Sequence, residues 1–130
     1  MEYLIDTQVL IWSLISPARL SVNACNALQT STVYVSVLSL FEIAIKQKIG
    51  KLPELPVTTA VLVEQIRRDG FELMPLTVRH IAMYDRIPFY ADHRDPFDRL
   101  ILATALAEVM PVISADGNFS RYKDIIEIIW

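Results

Sequence analysis

Residues 33–50, VYVSVLSLFEIAIKQKIG, join a strand pattern to a helix pattern within one short segment. The first three residues are β-branched or aromatic, which predicts a buried strand. Ser39 followed three residues later by Glu42 is a capping-box pattern, and it predicts a helix that ends at Gly50. A strand followed directly by a helix is the repeating unit of an α/β fold.

The same alternation continues on both sides of this segment. Short apolar runs predict further strands at residues 3–5, 71–74, 112–114 and 125–129. Capping residues and helical apolar patterns predict helices at residues 7–15, 21–29, 59–69, 77–86 and 95–109. Short apolar strands that alternate with helices imply βαβ units and a parallel sheet buried on both faces. The sequence therefore predicts an α/β fold.

The composition indicates one globular domain. The chain has 130 residues and a mass of 14.8 kDa, so we expect a single domain over residues 1–130. Apolar residues make up 53% and the mean hydropathy is +0.37, which excludes a disordered chain and favours self-association or binding of a partner peptide. The only cysteine, Cys25, excludes an internal disulfide framework and a cysteine-rich zinc site.

Charge and hydropathy limit the location and the partners. No apolar run reaches the roughly 20 residues of a membrane helix. The N-terminus carries Glu2 and Asp6 without a basic cluster, so we expect no signal peptide, no membrane contact and a cytoplasmic location. The net charge of −3 and the pI near 5.3 are not typical of a protein that binds nucleic acid through a strongly basic surface. They do not exclude an enzyme that meets phosphates through metal ions.

Acidic residues collect where chemistry is expected in an open parallel sheet, outside the carboxyl ends of the strands. Asp6 directly follows the first strand, and Asp116 lies just past the strand at residues 112–114. Glu42 lies at the start of the helix after the second strand. Asp95 and Asp98 begin the helix that leads into the fourth strand. We expect these carboxylates to meet at one edge of the sheet.

Each of these acids also has an ordinary structural explanation. Asp6 and Asp95 suit helix N-caps, Glu42 suits the capping box, and Asp116 precedes Gly117 in a turn. A first-turn acid such as Asp98 gains only ~0.3–1 kcal/mol from the helix dipole. None of these roles explains why the acids share an edge, where their charges repel one another. A divalent cation removes the repulsion, and oxygen ligands favour Mg²⁺ or Mn²⁺ over zinc.

Four stretches carry a family resemblance. They are LIDTQVLIW (residues 4–12), VSVLSLFEIAIK (35–46), HRDPFDRLILA (93–103) and ISAD (113–116). In this order and spacing, the chain resembles a PIN domain and, more closely, the VapC-like ribonuclease toxins of bacterial toxin–antitoxin pairs. The third stretch is the most specific. Gln8, where this subgroup often has histidine, and Phe41, where tryptophan is common, depart from the pattern.

The resemblance implies a fold, an activity and partners. It implies a five-stranded parallel sheet of order 3-2-1-4-5 flanked by helices, cleavage of RNA phosphodiesters, homodimers, and inhibition by a cognate antitoxin. The residues at the catalytic and metal-binding positions are Asp6, Glu42, Asp98 and Asp116. Those expected around the acids are Asp95, Ser36, Ser114 and Thr7. One or two Mg²⁺ or Mn²⁺ ions would activate water and stabilise the leaving oxygen.

Cations near the acids are candidates for contact with the RNA backbone. Arg94 and Arg99 flank the third stretch, and Lys46 lies one helical turn after Glu42. The alternative for Lys46 is an ion pair with Glu42, worth about 0.2–0.5 kcal/mol. The alternative for the two arginines is a solvated surface or pairing with nearby acids. For His93 we expect a structural role.

Two other functions remain open. A phosphoryl-transfer domain of the aspartyl-phosphate kind is disfavoured because no lysine follows the last strand and because position 8 is glutamine. A non-catalytic interaction module would keep the acidic edge only for folding. Binding of a divalent cation to the native protein separates this module from the nuclease.

Overall fold

The computed structural model describes residues 1–130 and contains five strands and six α-helices. The strands are β1 (Glu2–Ile5), β2 (Thr32–Ser36), β3 (Glu72–Met74), β4 (Val112–Ile113) and β5 (Ile128–Ile129). The helices are α1 (Thr7–Ile15), α2 (Val22–Thr30), α3 (Val37–Lys48), α4 (Thr59–Arg68), α5 (Val78–Met83) and α6 (Pro96–Glu108). Short 3₁₀ turns lie at Pro17–Arg19, Tyr84–Arg86 and Gly117–Tyr122.

The five strands form one parallel sheet of order β3-β2-β1-β4-β5, which confirms the predicted fold class and strand order. The central strand is β1, where Leu4 is in register with Tyr34 of β2 and Val112 of β4. Because all strands run in the same direction, their carboxyl ends lie along one edge. The order brings the ends of β1, β2 and β4 next to one another there.

Two hydrophobic clusters cover the two faces of the sheet. Ile5 belongs to the cluster that includes residues of α1, α2, α3 and α4. Its neighbour Leu4 points to the opposite face and belongs to the cluster built mainly on α6 and on the segment after β4. Both side chains have no solvent exposure. The period-2 alternation of a strand thus explains why these short apolar runs are buried on both sides.

The predicted capping box in α3 is wrong. The helix begins at Val37, and the hydroxyl of Ser36 accepts a hydrogen bond from the Leu38 amide at 3.1 Å. Ser39 is fully buried, and its hydroxyl receives a hydrogen bond from Thr7 at 2.9 Å. Glu42 is therefore one turn inside the helix and is not engaged as a cap.

Several element ends also differ from the prediction. The chain between Tyr122 and Ile126 closes a turn through backbone hydrogen bonds, so β5 begins at Ile128 rather than at residue 125. The predicted helix at residues 77–86 divides into α5 and a 3₁₀ turn. Helix α6 ends at Glu108, and its C-cap residue Val109 has the left-handed φ of 52°. None of the helices combines the length and the apolar character needed to cross a bilayer.

Candidate metal centre

A pocket of about 310 Å³ opens at the carboxyl edge of the sheet. Eight of its ten lining residues are not hydrophobic, and they include all five acids that the sequence placed at this edge. The lining residues are Asp6, Thr7, Gln8, Trp12, Glu42, Lys46, Asp95, Asp98, Ala115 and Asp116. The structure thus brings the five acids together at one pocket, as the sequence predicted.

Asp6 is held between the end of β1 and the start of α1. Its Oδ1 accepts the Val9 amide at 2.8 Å as the N-cap of α1, and its Oδ2 accepts the Ser114 hydroxyl at 2.6 Å. Burial raises the pKa of Asp6 to about 6, and the charges of Asp116 and Glu42 add to the effect. The hydrogen bonds from Ser114 and Val9 oppose the rise. Asp6 is therefore both a cap and a pocket carboxylate.

Asp98 lies in the first turn of α6 and contacts a buried histidine. Its Oδ2 is 3.2 Å from Nε2 of His93, whose Nδ1 is 2.8 Å from the Tyr122 hydroxyl. Burial raises the pKa of Asp98 to about 6, neighbouring carboxylates reinforce the rise, and the His93 hydrogen bond opposes it. Asp98 thus combines a fixed orientation with a preference for losing its charge when no cation is present.

Asp116 and Asp95 each cap a turn and still face the pocket. The Asp116 Oδ1 accepts the Asn118 amide at 2.9 Å, and its own amide donates to the Ser114 hydroxyl at 3.0 Å. The Asp95 Oδ1 accepts the Phe97 amide at 2.8 Å as the N-cap of α6. In both residues capping engages Oδ1 only, so Oδ2 has no hydrogen-bond partner within the protein.

Glu42 carries an unsatisfied oxygen. Its Oε1 is buried and has no hydrogen-bond partner, whereas Oε2 is 3.3 Å from the Lys46 ammonium. Leaving a buried carboxylate oxygen unpaired costs free energy, because water is lost and nothing replaces it. The pocket therefore offers a hard oxygen ligand without a partner, which is the donor type that Mg²⁺ and Mn²⁺ prefer.

The most compact group of possible ligands is not the predicted quartet. Ligand atoms of His93, Asp98 and Asp116 lie within 4.8 Å of one another. Asp6 and Glu42 line the same pocket outside this compact group. Sequence reasoning assigned His93 only a structural role, because the contact with Tyr122 that fixes its ring toward Asp98 comes from 29 residues away and leaves no local pattern. Together these residues form an acidic cluster with the donor chemistry of a divalent metal site.

The polar residues predicted around the acids differ in how close they lie to the pocket. Ser114 bonds directly to Asp6, as described above. Thr7 lines the pocket, and its hydroxyl is turned toward Ser39. Ser36 is buried, caps α3 and does not line the pocket.

The three cations predicted to bind phosphate lie in three different environments. Lys46 lines the pocket and pairs with Glu42. Arg94 is exposed, donates to the Ala91 carbonyl at 2.9 Å and does not line the pocket. Arg99 contradicts the expectation, because it is only 2% exposed. Its guanidinium donates to the Pro88 carbonyl, to the Ile87 carbonyl and to the Tyr84 hydroxyl.

The chain matches the family model of the PIN domain over residues 3–125. It therefore belongs to the PIN domain family, and the resemblance seen in the sequence is confirmed. No curated protein sequence matches the chain.

Solved structures with the same fold include toxin–antitoxin complexes. VapBC2 from Rickettsia felis, bound to a DNA fragment from their promoter, contains a chain with a TM-score of 0.69 at 15% identity, covering 99% of this chain and 98% of that one. VapBC-5 from Mycobacterium tuberculosis gives 0.65 at 18%, covering 98% and 95%. FitAcB from Neisseria gonorrhoeae gives 0.62 at 21%, covering 98% and 96%. At these identities the likeness shows a shared fold.

Proposed function

We propose that residues 1–130 act as a single PIN domain with Mg²⁺- or Mn²⁺-dependent endoribonuclease activity, as the toxin of a toxin–antitoxin pair. The observation that supports this most is the pocket itself. Five carboxylates line it, and the buried Oε1 of Glu42 has no partner in the protein. Carboxylates this close together repel one another, and a divalent cation bound among them removes that repulsion.

Four residues would hold the metal: Asp6, Glu42, Asp98 and Asp116. A bound Mg²⁺ or Mn²⁺ supplies a nucleophilic water near neutral pH and shields the charge of the scissile phosphate. The protein fixes the acids beforehand: Ser114 and the Val9 amide orient Asp6. His93 orients Asp98 in the same way. Glu42, Asp98 and Asp116 each keep one oxygen free of hydrogen bonds within the protein, so any of the three could accept the proton of the attacking water.

The remaining parts of the proposal concern partners and location. The structural neighbour from Mycobacterium tuberculosis is a member of a family of toxin–antitoxin systems, which supports an antitoxin partner here. RNA is the proposed substrate, a homodimer the proposed assembly and the cytoplasm the proposed location. The exposed aromatic side chains of Phe41 and Phe89, 60% and 63% accessible, support an assembly that covers apolar surface. Light scattering of the purified protein measures the assembly directly.

The direct test is incubation of the purified protein with a mixed RNA pool in Mg²⁺ or EDTA, followed by mapping of the new RNA ends. We expect cleavage in Mg²⁺ only. Asp98→Asn should keep the circular dichroism spectrum and reduce cleavage by at least about 100-fold, the scale of losing one strong electrostatic stabiliser. Asp85→Asn is the matched control, because Asp85 is exposed and lies outside the pocket. Equal cleavage by wild type and Asp98→Asn would refute the proposed site.

A titration with Mn²⁺ separates the nuclease from a non-catalytic module. A ligand that binds only the native state stabilises it by about 2.7 kcal/mol at 100 times its Kd. We therefore expect Tm to rise by several degrees in millimolar Mn²⁺. Glu42→Gln should reduce the gain from Mn²⁺, because it replaces a carboxylate ligand with a neutral amide. An unchanged Tm in Mn²⁺ would favour the module that keeps its acids for folding.

A further inference from the structure

A second groove adjoins the metal pocket. It has a volume of about 390 Å³, and Gln8, Trp12 and Lys46 line both the groove and the pocket. Beyond these shared residues the groove is bordered by Arg19, at the end of the 3₁₀ turn after α1, and by Lys51, after α3. The pocket and the groove are therefore adjacent, with Gln8, Trp12 and Lys46 common to both.

The balance of acidic and basic residues differs between the pocket and the groove. The pocket holds five acids and one cation, whereas the groove holds three cations and one acid, Glu54. Arg19 and Lys51 are exposed and form no ion pair, and Lys46 pairs with Glu42 in the pocket. In a chain with a net charge of −3, unpaired cations beside the metal pocket form a local basic surface.

We propose that this groove binds the backbone of a single RNA strand as it leaves the metal pocket, with Arg19, Lys46 and Lys51 contacting its phosphates. The inference rests on the proposed function. A strand whose phosphate lies at the metal must continue onto the surface beside the pocket, and the adjacent groove presents cations there. A positively charged groove that follows the backbone is the usual means of binding single strands.

The surroundings of Trp12 indicate what this groove recognises. The Arg19 guanidinium lies over the Trp12 ring, 5.3 Å from its centroid, and the Trp130 ring lies 5.9 Å away. A base that stacked on Trp12 at this face would have to displace Arg19. Trp12 therefore holds Arg19 in place and leaves phosphate contacts as the main interaction. We infer that the groove contributes affinity without selecting the RNA sequence.

The test measures binding and turnover in separate arms. In an Asp98→Asn background, where the RNA is not cut, the affinity for a labelled single-stranded RNA of about 12 nucleotides is followed by anisotropy. The double variant Arg19→Ala/Lys51→Ala should bind roughly 25-fold more weakly at 0.1 M salt, and its log–log salt slope should be smaller by about 1.4. In the otherwise native protein the same pair should raise KM and leave kcat within about twofold. Several RNA sequences should be affected equally.

Two further variants sharpen the test. Glu54→Lys replaces the only acid of the groove and should tighten RNA binding several-fold. The matched control, Arg67→Ala/Lys123→Ala, removes two exposed and unpaired cations outside both depressions and should change the affinity by less than about threefold. With Asp98 intact, a Mn²⁺ titration monitored by Tm should give the wild-type response in each of these groove and control variants.

Two results would contradict the proposal that the groove binds RNA. One is equal RNA affinity and KM in wild type and Arg19→Ala/Lys51→Ala. The other is binding of a polyglutamate peptide that depends on Arg19 and Lys51 while RNA binding does not, which would assign the groove to an acidic protein segment. Failure of the proposed function is separate: the wild type would then cleave no RNA, while the binding arm would still report on the groove.

Discussion

His93 Nε2 lies 3.2 Å from Asp98 Oδ2, and both residues border the acidic cluster at the carboxyl edge of the sheet. The second ring nitrogen of His93 is 2.8 Å from the Tyr122 hydroxyl. A neutral ring that accepts from Tyr122 at Nδ1 donates from Nε2 to Asp98, and this assignment satisfies all three groups. The carboxylate is thereby held at one oxygen, and Oδ1 remains available to a cation.

We predict that His93→Ala weakens Mn²⁺ binding by about 10–100-fold, because the carboxylate loses the hydrogen bond that orients it. Isothermal titration calorimetry measures the change without relying on catalysis. Tyr122→Phe keeps the aromatic ring and removes only the outer hydrogen bond, so its effect should be smaller. His93→Gln, which restores a donor, should recover part of the affinity. Wild-type affinity in His93→Ala would show that Asp98 needs no such support.

The raised pKa of Asp6 predicts how the stability of the metal-free protein depends on pH. The native pKa of about 6 exceeds the ordinary value of 3.8, so the native state binds the proton more tightly than the unfolded state. Asp6 therefore favours folding below about pH 4 and loses this contribution as the pH rises to about 6. Urea unfolding in EDTA should show wild type losing about 1–3 kcal/mol relative to Asp6→Asn across this interval. An increase over the same interval would contradict the assignment.

Arg99 is predicted to serve the fold. Its side chain donates to two backbone carbonyls of the segment before α6 and lies 4.9 Å from the Tyr84 ring centroid and 5.2 Å from that of Phe89. Arg99→Ala leaves those carbonyls unpaired and should lower the free energy of unfolding by about 2–3 kcal/mol. Arg99→Lys should recover little, because a point charge cannot reproduce the guanidinium fork. A stable Arg99→Ala protein with raised KM would instead restore the substrate contact inferred from the sequence.

Val109 is predicted to limit stability at the end of α6. It is 91% exposed and has the left-handed φ of 52°, which is unfavourable for a β-branched residue. Val109→Gly relieves this strain and should raise the free energy of unfolding by about 1 kcal/mol in urea denaturation. Val22→Gly is the contrasting control, because Val22 is 77% exposed and does not have a positive φ. That control should lower stability by up to about 1 kcal/mol.

The meeting of the acids at one edge could be expected from the sequence because it depends on local patterns, whereas the strand order was implied only by the family resemblance. Asp6 follows an apolar strand directly, and Asp95 precedes a proline at the start of an apolar helix. Both residues are placed at the carboxyl edge of the sheet by the direction of the chain, because strands end and helices begin there. The local interpretation was wrong at Ser39 and Glu42 because the helix could begin after Ser36 or after Ser39, and each serine could act as its N-cap. Packing against Thr7 favoured the one that begins after Ser36.

Local patterns in the sequence were enough to predict the α/β fold and the edge where the carboxylates gather, because apolar periodicity and capping act over a few neighbouring residues. Three features depend on tertiary packing instead: the burial of Arg99, the support of Asp98 by His93, and the place of Arg19 beside Lys51 in one groove. His93 is close to Asp98 in the chain, but its ring is held by Tyr122, which lies 29 residues further on. The polar partner of a charged side chain depends on which surfaces meet when the sheet and helices pack.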